Sequence, residues 1–210
     1  MEITEVVPGL VMLTFPVGQA YALRGADGLT VIDTGVAGHG AEIAELGDVR
    51  RIVLTHFHED HTGSAAELRA LTGAPVYAHR AEAPFIRGEE PGPAPVVPPE
   101  ERELFDSVTP LVPPAPPSPV DEELTEGDVL AGATVLHVPG HTPGSIALHV
   151  PDRGVLFVGD TVATWDGAAI PGVFNVDRPL LEKSARRLLD LDPRVLCVGH
   201  GRPLVTPDAR

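Results

Sequence analysis

The stretch "LTHFHEDHTG", Leu54 to Gly63, sets His56, His58, Glu59, Asp60 and His61 directly behind the apolar run Ile52, Val53, Leu54. Ionisable groups are costly beside a core unless each finds a partner. A chain built this way must bring a buried strand to an end at a loop where those groups meet something that satisfies them. The plainer reading is a polar surface loop ahead of a helix, with Asp60 serving only as an N-terminal cap. One histidine would suit that reading, whereas three at this spacing, beside an Asp, argue for metal. Residues i and i+2 of an extended segment project to one side, so His56 and His58 can reach one ion. After a sharp turn, Asp60 and His61 can reach a second. Imidazole nitrogen and carboxylate oxygen suit zinc, iron or manganese.

The rest of the chain supplies strands and helices around that loop. "LVMLTF", "AYALRG" and "LTVIDTG" read as short strands separated by Gly or Pro. "GHGAEIAELG" reads as a short helix closed by Gly47, and "RRIVLTH" as a buried strand. "GSAAELRALTG" has Ala65, Leu68 and Leu71 near helical spacing, with Gly73 as a stop, and "APVYAH" is a further strand. In the second half "TVLHV", "SIALHV" and "GVLFVG" alternate as strands. "DRPLLEKSARRLLDL" is predicted as a helix capped by Asp177, with Pro179 in its first turn and Leu181, Ala185, Leu188 and Leu189 on one face. "RVLCVGHG" is the last strand. Strands ending in Asp-Thr occur in both halves, "VIDTG" and "FVGDT", a hint of internal duplication. Strands followed by helices, twice over, indicate a layered α/β arrangement.

Residues 84–119 hold 12 of the 23 prolines. Proline removes amide donors and fixes φ, so this segment is neither a long helix nor a central strand. It reads either as a surface excursion or as a semi-rigid flap with "PPEERELFDSV" as a short helix inside it. Phe85, Ile86, Leu104 and Phe105 would be unusual in a purely solvated linker.

Composition narrows the function. The 210 residues, 43% hydrophobic, are enough for one domain with a sizeable core, and with only 4% aromatics that core should be mainly Val, Leu, Ile and Ala. A formal charge of −15 argues against nucleic acid and against docking on an anionic membrane. Cys197 is the only cysteine, which rules out an intrachain disulfide and a Cys-based zinc finger. No signal-peptide pattern opens the sequence and no apolar run is long enough to span a bilayer, so the expectation is a soluble cytoplasmic protein with a small-molecule substrate. Oligomeric state is left open.

Three more ionisable residues sit just past apolar strands, each preceded by glycine: His141 in "VPGHTPGS", Asp160 in "LFVGDT" and His200 in "LCVGHG". Loops at strand ends are where α/β folds place their sites. Among the other histidines, His39 is expected to be solvated, His79 is a candidate for the pocket border, and His137 and His149 are expected within strands. Cys197 is assigned to core packing.

"THFHEDH", "GHTPGS", "GDT" and "GHG", in that order, with "DTG" at 33–35, resemble the metallo-β-lactamase-fold hydrolases over nearly the whole chain. The resemblance implies one four-layer αββα sandwich over residues 1–210, with the Pro-rich insertion at about 84–120, and a two-metal site along one edge. It places His56, His58 and His141 on one metal, Asp60, His61 and His200 on the other, and Asp160 between them, with Asp33 supporting the ligands. Two divalent ions are implied, zinc first, with iron or manganese as alternatives. Such a pair would turn water into a nucleophile at neutral pH and polarise a carbonyl. Asp60 would bind metal and also orient the nucleophile or relay a proton.

Within this family the resemblance is to the hydroxyacylglutathione hydrolase and lactonase group. The implied reaction is cleavage of a lactone, thioester or other ester. The helical region that glutathione-specific members place after the last histidine is not expected here. Asp160 argues against β-lactam hydrolysis as the main activity. Two alternatives stay open. One is a persulfide dioxygenase with a single iron on His56, His141 and Asp160; the other is a metal-binding protein without catalysis. Trp165 and Phe174, in "TWDGAAIPGVFNV" at 164–176, are candidates for apolar contacts in the pocket.

Overall fold

The computed structural model describes residues 1–206; positions 207–210 of the expected 1–210 domain lie outside the described residues. Strands β1 (Glu2–Val7), β2 (Leu10–Thr14), β3 (Gln19–Gly25) and β4 (Gly28–Ile32) form an antiparallel meander. Helix α1 (Gly40–Ala44) then crosses over to β5 (Val49–Leu54), which pairs parallel to β4. After the short helix α2 (Glu59–Thr62), α3 (Ala65–Thr72) stops at Gly73, whose φ of 70° suits a residue without Cβ. β6 (Val76–His79), α4 (Ala83–Ile86), α5 (Pro99–Val108) and β7 (Glu122–Leu124) follow. Strands β1 to β7 make one seven-stranded sheet in chain order.

The second sheet has the order β15-β14-β11-β10-β9-β8. Its strands are β8 (Val129–Leu130), β9 (Ala133–His137), β10 (Ile146–Val150), β11 (Val155–Phe157), β14 (Val195–Cys197) and β15 (Leu204–Val205). Between β11 and β14 come a separate hairpin, β12 (Val162–Trp165) and β13 (Ala168–Pro171), and helix α6 (Arg178–Leu189). Asp177 caps α6 by accepting a 2.9 Å bond from the Leu180 amide.

Side chains alternate across a strand, and here both faces are buried. Ala20, Ala22, Ile52 and Leu54 pack outward against Ile43 of α1, Leu68 of α3 and Ile86 of α4. Their neighbours Tyr21, Leu23 and Val53 face inward, against Ile146, Leu148, Phe157 and Cys197 of the second sheet. On the far side Ala147, Leu156 and Leu196 pack on Ala185 and Leu188 of α6. Three apolar layers therefore separate four structural layers, helix–sheet–sheet–helix, and the fold is the αββα sandwich. Cys197 lies in the inter-sheet core, 1% exposed, and burial pushes its thiol well above the usual range.

Two helix faces differ from the sequence pattern. Leu71 is 57% exposed and Leu189 is 40% exposed; each sits in the last turn of its helix, beyond reach of the sheet. Trp165 projects from the hairpin, 76% exposed, and does not border the site cavity.

All the strands that matter for chemistry end at one edge. β4 and β5 run parallel in the first sheet, and β11 and β14 run parallel in the second. At that edge the Ile146 amide donates to the Thr55 carbonyl, 2.9 Å, and so stitches the two sheets together.

Candidate metal centre

The seven donors named from sequence meet at this edge in two groups. His56, His58, His141 and Asp160 form one, and Asp60, His61 and His200 the other, with the donor atoms in each group within 4.8 Å of one another. His58 is extended (φ −61°, ψ 147°), and from it His58 Nδ1 comes 3.1 Å from His56 Nε2 and 3.0 Å from His141 Nε2. Asp60 and His61 then lie in α2. Asp60 does not cap that helix: His58 occupies the cap position, and no side chain bonds there. Asp60 Oδ2 lies 3.2 Å from His200 Nε2 instead.

Asp160 sits between the groups. Its Oδ1 is 3.2 Å from His61 Nε2; its Oδ2 is 3.2 Å from His200 Nε2, 3.5 Å from His141 Nε2 and 3.9 Å from His56 Nε2. The close approach depends on Gly199, where a Cβ would stand 2.0 Å from Asp160 Oδ1.

Asp33 anchors the array from behind. It adopts φ 58°, unusual for a residue with a side chain. From there its carboxylate accepts the Thr55 amide (2.7 Å) and hydroxyl (2.8 Å) and holds His61 Nδ1 at 2.8 Å. Thr34 completes the clamp, its amide and hydroxyl both donating to the His61 carbonyl. A carboxylate on one ring nitrogen fixes the tautomer and leaves the other free to bind a metal.

Two supporting residues escaped the sequence reading. Glu82, fully buried, accepts from the Phe57 amide (2.9 Å) and the Gly144 amide (2.6 Å). It thereby ties the "HFH" loop to the "GHTPGS" loop. Burial raises its carboxyl to about 7, against the pull of those amide bonds. Asn175 holds His141 Nδ1 through its Oδ1 at 3.3 Å and donates to the Gly172 carbonyl. Neither a lone Glu in "RAEAPF" nor an Asn in a loop carries any local pattern that marks it.

The electrostatics divide the site. Burial, reinforced by neighbouring rings, holds His56, His58 and His141 below the usual histidine range, His58 at about 3. The three rings turn their nitrogens toward one another, His58 Nδ1 lying within 3.1 Å of His56 Nε2 and 3.0 Å of His141 Nε2. Burial also works against charge on His61 and His200, but the Asp carboxylates outweigh it, raising His61 and bringing His200 to about 10. His61 and His200 in turn outweigh the burial of Asp60 and hold it at about 2. His61 Nε2 and Asp160 Oδ1 are buried without a hydrogen-bond partner. Converging neutral imidazoles and orphaned buried polar atoms are what divalent cations would satisfy, and nitrogen–oxygen donor sets suit zinc, iron and manganese.

The remaining histidines lie apart. His39 pairs with Glu42 at 2.7 Å rather than standing free in solvent. His79 stacks on His137, ring centroids 4.2 Å apart and nearly parallel, and does not line the cavity.

Residues 13–200 match the family model described as the metallo-beta-lactamase superfamily. The chain belongs to that superfamily. It is 32% identical over 180 residues to the probable metallo-hydrolase YflN of Bacillus subtilis, covering 77% of this chain and 68% of that one. It is also 32% identical over 155 residues to a hydroxyacylglutathione hydrolase of Cereibacter sphaeroides, covering 71% of this chain. It spans about half of that relative's length (48%). Among solved structures, TTHA1623 in a di-iron-bound form is 30% identical, with a TM-score of 0.69 and coverage of 92% and 93% of the two chains. The B3 metallo-beta-lactamase BLEG-1 superposes with a TM-score of 0.70 at 26% identity, covering 94% of each. Among the described residues no helix is long and apolar enough to cross a membrane.

Proposed function

We propose that this superfamily member is a dinuclear metal-dependent hydrolase that cleaves an ester, lactone or thioester bond of a small molecule. The observation that carries this reading is Asp160, whose two oxygens face both groups of donors at once. His56, His58 and His141 would hold one ion, Asp60, His61 and His200 the other, with Asp160 shared; zinc is the first candidate and iron or manganese fits the same donors. When bound, such a pair lowers the pKa of water to about 7 and polarises a carbonyl.

The protein's own groups do the rest. Asp60 borders the cavity and is a carboxylate at neutral pH. Its Oδ2 can accept a proton as the oxygen of water bonds to the carbonyl carbon. The bond to the leaving oxygen or sulfur then breaks, and the proton passes to that atom. Asp33, Asn175 and Glu82 keep the histidines in place throughout. Cys197 is buried between the sheets, so the chemistry has no thiol nucleophile.

The complete second group of Asp60, His61 and His200 favours two ions over the single iron of a persulfide dioxygenase, and an open cavity over the donors favours catalysis over storage. The test is elemental analysis of protein purified without chelators, followed by a panel of lactones, thioesters and esters. Close to two equivalents of metal with turnover on that panel is expected. One equivalent of iron, no cleavage, and oxygen uptake with a persulfide would transfer the assignment to the dioxygenase.

A further inference from the structure

The donor array has an apolar roof. A cavity of about 340 Å³ opens over Asp60, His141, Asp160 and His200. The Pro-rich insertion covers it with Pro93, Pro95, Phe105, Val108, Val112 and Pro114. Phe57, Val17 and Phe174 complete the walls.

Helix α5 buries no residue completely. Phe105, Val108 and Val112 are nonetheless half-buried, and all three face the cavity, while Leu104 and Leu111 point away, 48% and 62% exposed. A ten-residue helix is marginal alone in water, so its position needs outside support. The support is specific. Glu101 accepts from the Phe174 amide at 2.8 Å and pairs with Arg178 at 2.9 Å, and the Val96 amide donates to the Asn175 carbonyl at 2.9 Å. Phe105 meets Phe174 edge to face, centroids 5.1 Å apart.

Charge completes the picture. No Lys or Arg lines this cavity among the described residues, whereas Glu59, Asp60 and Asp160 do. Arg178 is held by Glu101 and Glu182, and Arg102 by Asp106 and the Phe105 ring. A carboxylate or phosphate on the far arm of the substrate, against Phe105, Val108 and Val112 and away from the metal donors, would lose water and meet no Lys or Arg.

We infer that this cavity selects substrates by an uncharged apolar arm, alkyl or aryl, attached to the scissile carbonyl group. Esters of carboxylate- or phosphate-bearing carriers are rejected. This rests on the hydrolase reading only for the end of the substrate that reacts.

Binding and cleavage can be tested separately. Straight-chain alkyl hydroxamic acids from two to ten carbons, titrated calorimetrically into the metal-loaded protein, anchor one end on the metal and probe the roof with the other. Affinity should rise about three- to fourfold per methylene until the cavity is full. An analogue ending in a carboxylate should bind about tenfold or more weaker than its methyl counterpart. Phe105→Ala should flatten the chain-length slope, and Val108→Lys should narrow the penalty on the carboxylate analogue. A flat slope in the unaltered protein, or preference for the carboxylate analogue, overturns the inference whatever the variants do. A steep slope with no cleavage of any ester, lactone or thioester leaves the apolar selectivity standing and removes the hydrolase reading; cleavage with a flat slope does the reverse.

Discussion

The floor and the roof of the cavity are built on opposite principles. On the floor the donors come from segments that directly follow buried strands, and the array is braced from behind: Asp33 and Thr34 hold His61, Asn175 holds His141, and Glu82 holds the Phe57 amide between His56 and His58. The roof is one short helix flanked by prolines, held by Glu101, one backbone bond and an aromatic contact. Holding several donors on one ion demands tight placement and a rigid support. Selecting an apolar arm demands only shape and the absence of charge. The same chain therefore spends its buried polar groups on one region and almost none on the other.

Breaking the floor should have the largest consequences. Asp160→Ala removes the carboxylate that faces both donor groups, and at least one metal equivalent should be lost, with hydrolysis falling below detection. Full activity at normal metal content would show that Asp160 is not shared. Asp33→Asn is expected to be milder, because it keeps the shape while losing the charge behind His61 and one of the two accepting oxygens. Metal affinity should drop about 10–100-fold, read by competition with a chelator. Glu82→Ala leaves the Phe57 and Gly144 amides without their acceptor, each worth about 1–3 kcal/mol. A fall in melting temperature, partly rescued in Glu82→Gln, would separate this role from a catalytic one.

The floor was largely legible in the sequence and the roof was not. His56, His58, Asp60 and His61 stand out because several ionisable groups beside an apolar strand have no cheap explanation. The glycines before His141, Asp160 and His200 mark backbone that must pass close to something, and at Gly199 that something is Asp160 itself. Glu82 and Asn175 are single residues without pattern; their roles exist only once two distant loops meet. β1 escaped notice because an edge strand with four of its six residues exposed has no apolar run, and β7 because it is three residues long. Prolines in 84–119 forbid a long helix or a central strand but say nothing about direction, and so the stripe of Phe105, Val108 and Val112 over the candidate metal donors appears only in three dimensions.

That difference predicts a smaller effect for damage to the roof. Glu101→Gln loses the ion pair to Arg178 but can still accept from the Phe174 amide. Arg178 is substantially exposed, so global stability should change by about 1 kcal/mol or less. Amides of 96–112 should exchange with solvent faster than in the unaltered protein, while those of 54–62 should not. Equal acceleration in both segments would mean that roof and floor open together.

The smallest effect should come from a pair of rings just outside the floor. His79 is held down at about 4, by burial first and then by His137 stacked on it and by Arg80. Its Nδ1 accepts the Ala81 amide at 3.2 Å, a bond that protonation there would break. The unfolded chain takes up this proton near the ordinary value of 6.5, the folded chain only near 4. Stability from this ring is therefore fully present above about pH 6.5 and declines as pH falls toward 4. The proposed metal ligands would also protonate on acidification, so the informative quantity is the difference in melting temperature between the unaltered protein and His79→Phe at equal metal load. That difference should change between pH 7 and pH 4.5, in the direction that favours the Phe variant in acid. A constant difference would mean that His79 takes up its proton at the same pH folded and unfolded, so that burial and the stacked ring do not hold it neutral.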